Sequence, residues 1–243
     1  MSEMSQPLPG PPAIVCREVV KYLGRRKFRT EVLHGLDLEI YTGQMTLLVG
    51  PSGCGKTTLI STIAGILQPD KGSIALFGTP MASLGRRRMA HFRGRNVGLV
   101  LQQLHLFPAL TAAENVAVPL LVLRQGASQA QARALGLLEG LGLGAHADKY
   151  PRELSVGEQQ RVAIARAIAH DPRLIICDEP TAALDAASGR LVMQMLRDVT
   201  VKADRAVLVV THDHRIFGYA DRIIHMDDGR ITRIDTSSER EAA

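Results

Sequence analysis

The stretch Gly50, Pro51, Ser52, Gly53, Cys54, Gly55, Lys56, Thr57, Thr58 combines glycines, a lysine and hydroxyls in an order suited to a polyphosphate. It fits G-x-x-x-x-G-K-[ST]. Glycines let backbone N–H groups turn inward around a phosphate, and a helix start behind them adds positive potential. Lys56 is then expected to hold the β- and γ-phosphates, and the Thr57 hydroxyl to hold Mg²⁺. A second constellation is Asp178-Glu179, two carboxylates ending the apolar run that starts at Leu174. Ligands of an open parallel sheet sit at such strand ends. Asp178 is expected to fix Mg²⁺ through its water shell, and Glu179 to orient, or take a proton from, an attacking water. A third stretch, "LSVGEQQR" from Leu154, spaces Ser155 and Glu158 as a capping box, so a helix starts near Val156.

These residues need elements to position them. "QMTLLVG" predicts a buried strand before the loop, and "KTTLISTIAGIL" a helix after it. "RLIICD" and "AVLVVTH" read as strands buried on both faces, with the helix "SGRLVMQMLRDV" between them. "AIVCREVVKY", "LDLEIY", "GSIALFG" and "NVGLVLQ" are further strands. Thr111 and Glu114 cap a helix through "TAAENVAVPLLVL", with a kink expected at Pro119, and "SQAQARALGLLEGL" is another helix. "RIIHMDDGRITRI" predicts a hairpin turning at Asp228-Gly229. The alternation of strand and helix predicts an α/β fold. Met1–Pro12 reads as a disordered lead-in, residues 13–235 as one domain and residues 236–243 as a polar tail.

The 243 residues suffice for a sizeable core, and with 4% aromatics and no Trp that core must rest on Leu, Ile, Val and Ala. The net charge of +5 suits a polyanion or an anionic membrane surface, and equally suits solubility alone. Two basic segments, Arg25–Arg29 and Arg86–Arg88, carry the same two readings. Three cysteines, Cys16, Cys54 and Cys177, make no disulfide framework, which favours a reducing cytoplasm. No signal peptide and no apolar run of about 20 residues is visible, so work at a membrane calls for another chain to cross it.

"LSVGEQQR" resembles the LSGGQ signature of the ATP-binding-cassette (ABC) ATPases, and other elements stand in that family's order. Gln102, after "NVGLVL", matches its Q-loop, Ala182–Asp185 ("AALD") its D-loop and His212 ("VVTHD") its H-loop. Tyr22 lies where the family places an aromatic that stacks on adenine, although Leu23 beside it is an alternative. The resemblance runs from about Ile14 to Ile234. It implies a P-loop NTPase with a RecA-like core, an antiparallel β subdomain and an α-helical signature subdomain. It also implies an ATPase using ATP and Mg²⁺, in which two copies pair head to tail and sandwich two nucleotides. Ser155, Gly157 and Glu158 of one copy would then face the phosphate loop of the other. Gln102 would touch Mg²⁺ or the lytic water, His212 the γ-phosphate, and Asp185 would shape the dimer interface.

The signature departs from the family at Val156, which replaces a glycine, and at Glu158, which replaces a glutamine. Valine is tolerated if the position is already helical, and Glu158 still serves the capping box. Cys54 is expected to be accessible in the empty loop and protected by ATP. "EVLHGLDLEIYTGQMTLLVGPSGCGKTTL" and "FPALTAAENVAVPL" resemble the macrolide and lipoprotein exporter (MacB/LolD) group. "KYLGRRKFRTEVL" and "THDHRIFGYADRIIHMDDGRI" are similar to DevA-type heterocyst-glycolipid exporter ATPases. This implies an exporter subunit on the cytoplasmic face of the inner membrane, held there by a permease and working with a periplasmic adaptor. The permease would dock between Gln102 and about Leu123, over the apolar loop "LHLFPAL". The alternative is an FtsE-like regulatory ATPase that moves no solute. A nucleic-acid or ribosome ATPase is disfavoured, because the chain has one compact cassette and no C-x-x-C pair.

Overall fold

The structure, a computed structural model, describes residues 10–24, 28–200 and 204–236. Arg25, Arg26 and Lys27, the first nine residues of the lead-in and residues 237–243 lie outside them.

A six-stranded sheet carries the site, in the order β10 (Arg230–Thr236), β9 (Arg222–Asp227), β3 (Gln44–Val49), β8 (Ala206–Val210), β7 (Leu174–Asp178), β6 (Val97–Val100). All neighbours are parallel except β10, which closes the hairpin with β9. The central strands read as unbroken apolar runs because both faces are covered. Successive side chains alternate between two cores. Leu47, Val49, Ile175, Cys177, Val207 and Val209 enter one, and Leu48, Leu174, Ile176, Leu208 and Val210 the other.

The first core is filled by α3 (Ala112–Val122), α4 (Ala127–Gly140), α5 (Val156–Ile168) and α6 (Ala186–Thr200). The second is filled by α1 (Lys56–Ile63) and by an antiparallel sheet, ordered β2 (Thr30–Tyr41), β1 (Pro12–Leu23), β4 (Lys71–Leu76), β5 (Thr79–Pro80). RecA-like sheet, antiparallel β subdomain and helical subdomain are all present, as in a P-loop NTPase of the ABC type.

Several boundaries differ from the sequence reading. The ordered chain begins before residue 13: Pro12 opens β1, and the Thr42 N–H donates to Pro11 O at 3.0 Å. Helix α1 stops at Ile63, short of the apolar run, because Gly65 turns with φ +69 under Met89. The stretch Arg86–Asn96 is a helix, α2, with no buried residue. It has no apolar period, so nothing in its pattern announced it. Helix α3, by contrast, runs past Pro119 to Val122, in line with the stretch read as helical. All three cysteines are free and buried, and burial pushes the Cys16 and Cys177 thiols up to about 12. Among the described residues no helix is long and apolar enough to cross a membrane.

Candidate functional site

The chain leaves β3 at Val49, turns through Gly50–Gly55 and enters α1 at Lys56. Gly55, with φ +103, makes the turn into the helix. Gly50 is needed for close approach, since a Cβ there would lie 2.0 Å from Met226 O. The loop is braced from the β9–β10 turn: the Gly229 N–H donates to Cys54 O at 2.9 Å, and Gly229 O accepts from His34 N–H at 3.2 Å. Helix α1 has no acid in its first turn, so its N-terminal potential is uncompensated by charge. The Lys56 ammonium donates to Gly50 O at 2.8 Å and Pro51 O at 2.7 Å. It is thus poised over the loop that Pro51, Ser52, Gly53 and Thr58 complete. Cys54 is buried, with Sγ 3.7 Å from Lys56 Nζ. This corrects the expectation of an accessible thiol: the side chain packs against Gly50 in the turn.

Strand β7 delivers the acids. Thr57 Oγ1 donates to Asp178 Oδ2 at 2.8 Å, so the hydroxyl and carboxylate that a cation would share already meet. Burial holds Asp178 above the usual carboxylate range, with Glu179 adding to the effect, while Thr57 and Lys56 oppose it. A divalent cation favours the charged form of such a carboxylate. Hard oxygen donors, few in number, fit Mg²⁺, which keeps water and takes phosphate oxygens for the rest of its shell. No cluster of three or more His, Cys, Asp or Glu fit to hold a metal occurs among the described residues, so an all-protein cage is not what the site offers.

Glu179 sits at φ +54, a backbone strain of about 1–3 kcal/mol of the kind found at functional sites. The strained turn is pinned where the Glu179 N–H donates to Val210 O at 2.9 Å. Its Oε1 lies 2.7 Å from His212 Nδ1, and its Oε2 is buried with no hydrogen-bond partner. An orphaned acceptor of this kind is costly, and a water proton would satisfy it. The His212 ring is 75% exposed, so it can swing between Glu179 and a ligand.

Gln102 is exposed two residues beyond β6, whose Val100 pairs with Cys177 just before Asp178. Tyr22 lies on β1, beside β2. It pairs with Glu31, whose neighbour Val32 has its carbonyl 3.0 Å from the Cβ position of Gly55. Leu23, the last residue of β1, pairs with Thr30 and is exposed.

Ser155 caps α5 as expected. The Ser155 N–H and Oγ both donate to Glu158 Oε2, at 2.7 and 2.8 Å, and Ser155 Oγ accepts from Glu158 N–H at 3.3 Å. These bonds hold Glu158 below the usual carboxylate range. Val156 is the first helical residue and is 62% exposed, so its branching strains nothing. Gly157 packs on the stretch before α6: a Cβ there would lie 3.3 Å from Leu184 Cδ2. Asp185 is the cap of α6, accepting from Ala187 N–H, Ser188 N–H and Ser188 Oγ. Arg161, which the sequence reading passed over, donates to Ser188 Oγ at 2.8 Å and so ties α5 to that cap. The only signal for it was its place one helical turn after Gly157.

Comparison with known proteins gives one answer. The ABC transporter family model matches residues 33–182. An uncharacterized ABC transporter ATP-binding protein of Methanocaldococcus jannaschii is 40% identical over 91% of this chain and 98% of its own length. The lipoprotein-releasing system ATP-binding protein LolD of Pseudomonas fluorescens is 40% identical over 90% of this chain and 96% of its own. Among solved structures, a dimeric ATP-binding cassette in a post-hydrolysis state, bound to ADP and Pi, superposes with TM-score 0.87 at 34% identity, covering 92% of this chain and 98% of that one.

Proposed function

Because the chain belongs to the ABC transporter ATP-binding family, and is an ATP-hydrolysing subunit of it, we propose that it forms a head-to-tail dimer around two ATP and drives a separate exporting permease. In this reading Gly50–Thr58 wraps the phosphates, with Lys56 exchanging its two carbonyl contacts for phosphate oxygens. Thr57 and Asp178, with Gln102, hold Mg²⁺, which neutralises charge on the phosphates. Glu179 takes the proton of the attacking water through its unpartnered oxygen, and His212 turns toward the γ-phosphate. Tyr22, rather than Leu23, stacks on the adenine. Ser155, Gly157 and Glu158 close the partner's site, with Asp185 at the seam.

One observation carries the dimer. The polar side chains of Ser155 and Glu158 bond only each other and His146 among the described residues, and none reaches residues 50–58. The N-terminus of α5, capped by Ser155 and carrying Glu158 in its first turn, is therefore not engaged with the phosphate loop of its own chain, and Ser155 is exposed to a partner. A relative solved as a dimer with ADP and Pi supports the same arrangement.

The exporter reading, rather than the regulatory one, is supported by a relative named for a release system. The finer DevA-type placement and a periplasmic adaptor extend that proposal, supported by the sequence segments quoted above. The same reading puts the cassette at the cytoplasmic face of the inner membrane, held there by its permease, and the likeness to a LolD-type ATP-binding protein supports it. The permease would seat on the loop before α3. There Phe107 is 48% exposed, while the loop's carbonyls are held from below by Asn115. Affinity capture of the full chain from detergent-solubilised membranes of its own cells should retain a membrane-spanning partner. Phe107→Asp should lose that partner while the purified chain still releases phosphate from ATP. Capture of the same partner by the variant would place the contact elsewhere.

A further inference from the structure

The far end of β1 holds an arrangement that the reading of Tyr22 alone does not use. Asp70 accepts from the Tyr22 N–H at 3.0 Å and from Lys21 Nζ at 2.9 Å, and it is ion-paired with Arg29. The Arg29 guanidinium carbon lies over the Tyr22 ring, 5.0 Å from its centroid. Glu31, the cross-strand neighbour of Tyr22, raises the pKa of its phenol. Tyr22 is therefore fixed at two points: its backbone by Asp70 and one face of its ring by Arg29. Asp70 is in turn located by its own N–H, which donates to Val20 O at 2.8 Å. Lys21 also reaches Gln68 O, so the segment that carries Asp70 is tied to β1 at both ends.

We propose that Arg29, seated on Asp70, is a positioning residue for the nucleobase: it covers one face of Tyr22 and presents the other to the adenine. This rests on the reading that Tyr22 stacks on the base. The physical logic is preorganisation. A free tyrosine side chain must be ordered when a base stacks on it, and that ordering weakens binding. A ring whose backbone is anchored and whose back is covered by a cation has less left to lose. The Arg29 charge also draws on the ring's electrons from behind, which favours stacking with a nucleobase on the front. The arrangement acts only through the base, so it must leave the phosphate contacts untouched.

Equilibrium binding of ATP and of inorganic tripolyphosphate to the full chain, in EDTA so that nothing turns over, separates the possibilities. Arg29→Ala should weaken ATP by about 2- to 12-fold, the range expected for one immobilised side chain, and leave tripolyphosphate unchanged. Asp70→Asn should act in the same direction, and Arg29→Lys should recover part of the loss. If Tyr22→Ala weakens ATP but Arg29→Ala does not, the Tyr22 reading stands and the role of Arg29 is overturned. If Arg29→Ala weakens both ligands equally, Arg29 is structural and the proposal is again overturned. If Tyr22→Ala leaves the preference for ATP over tripolyphosphate intact, the stacking reading itself fails, and this inference fails with it.

Discussion

At the scale of single residues, the site separates binding from chemistry. Lys56 already reaches carbonyls of the loop that would hold phosphate, whereas Glu179 is bonded to His212 and touches no residue of that loop through a hydrogen bond. Glu179→Gln should therefore keep ATP affinity within about twofold and lower phosphate release by at least about 100-fold, the low end for losing a general base. Lys56→Ala should instead weaken ATP binding itself. Comparable turnover in Glu179→Gln and the parent chain, in a phosphate-release assay, would remove Glu179 from the chemistry. The residue types were legible in sequence because a phosphate loop, paired acids and a capping box each have fixed spacing. What was not legible is contact between distant segments. The bond from Thr57 to Asp178 spans 121 positions, and the clamp on Tyr22 depends on Asp70, 48 positions away. Cys54 shows the same limit in reverse: membership of the loop suggested exposure, and packing against Gly50 overrode it.

At the scale of elements, rigidity is placed where the proposed permease contact lies. Asn115 is wholly buried at the start of α3; its amide donates to Phe107 O, Leu110 O and Thr111 O, while its Oδ1 accepts from Phe107 N–H. Asn115→Ala should cost about 2–3 kcal/mol, because it strips partners from several loop groups at once. Thermal melts should show Tm lower by several degrees, and capture of the membrane partner should weaken as well. An unchanged Tm would mean that the loop does not depend on this amide. The helices α3, α4 and α5 were readable from capping boxes and apolar period. Helix α2 was not, because its eleven residues bury nothing and present five arginines where a periodic stripe would be needed. Pro119, where a kink is expected, lies inside α3, and the last turn forms beyond it, with Leu123 N–H donating to Pro119 O at 3.1 Å.

At the scale of the whole molecule, the proposal makes the phosphate loop and the N-terminus of α5 halves of two different composite sites. The phosphate loop, Asp178 and Glu179 line the carboxyl end of the sheet. The N-terminus of α5 rests on Leu184 and is tied through Arg161 and Ser188 to the cap of α6. The N-terminus of α5 and the stretch before α6 are thus joined, and both would be offered to a partner copy together. Val156, exposed at the first position of α5, would be part of that offered surface. Light scattering on the eluting Glu179→Gln chain, with and without saturating Mg-ATP, tests this most directly. The account predicts the mass of one chain without nucleotide and of two chains with it, with two ATP retained per dimer and the shift abolished by Ser155→Arg. A chain that binds ATP yet keeps the mass of a monomer, at concentrations well above its ATP Kd, would contradict it.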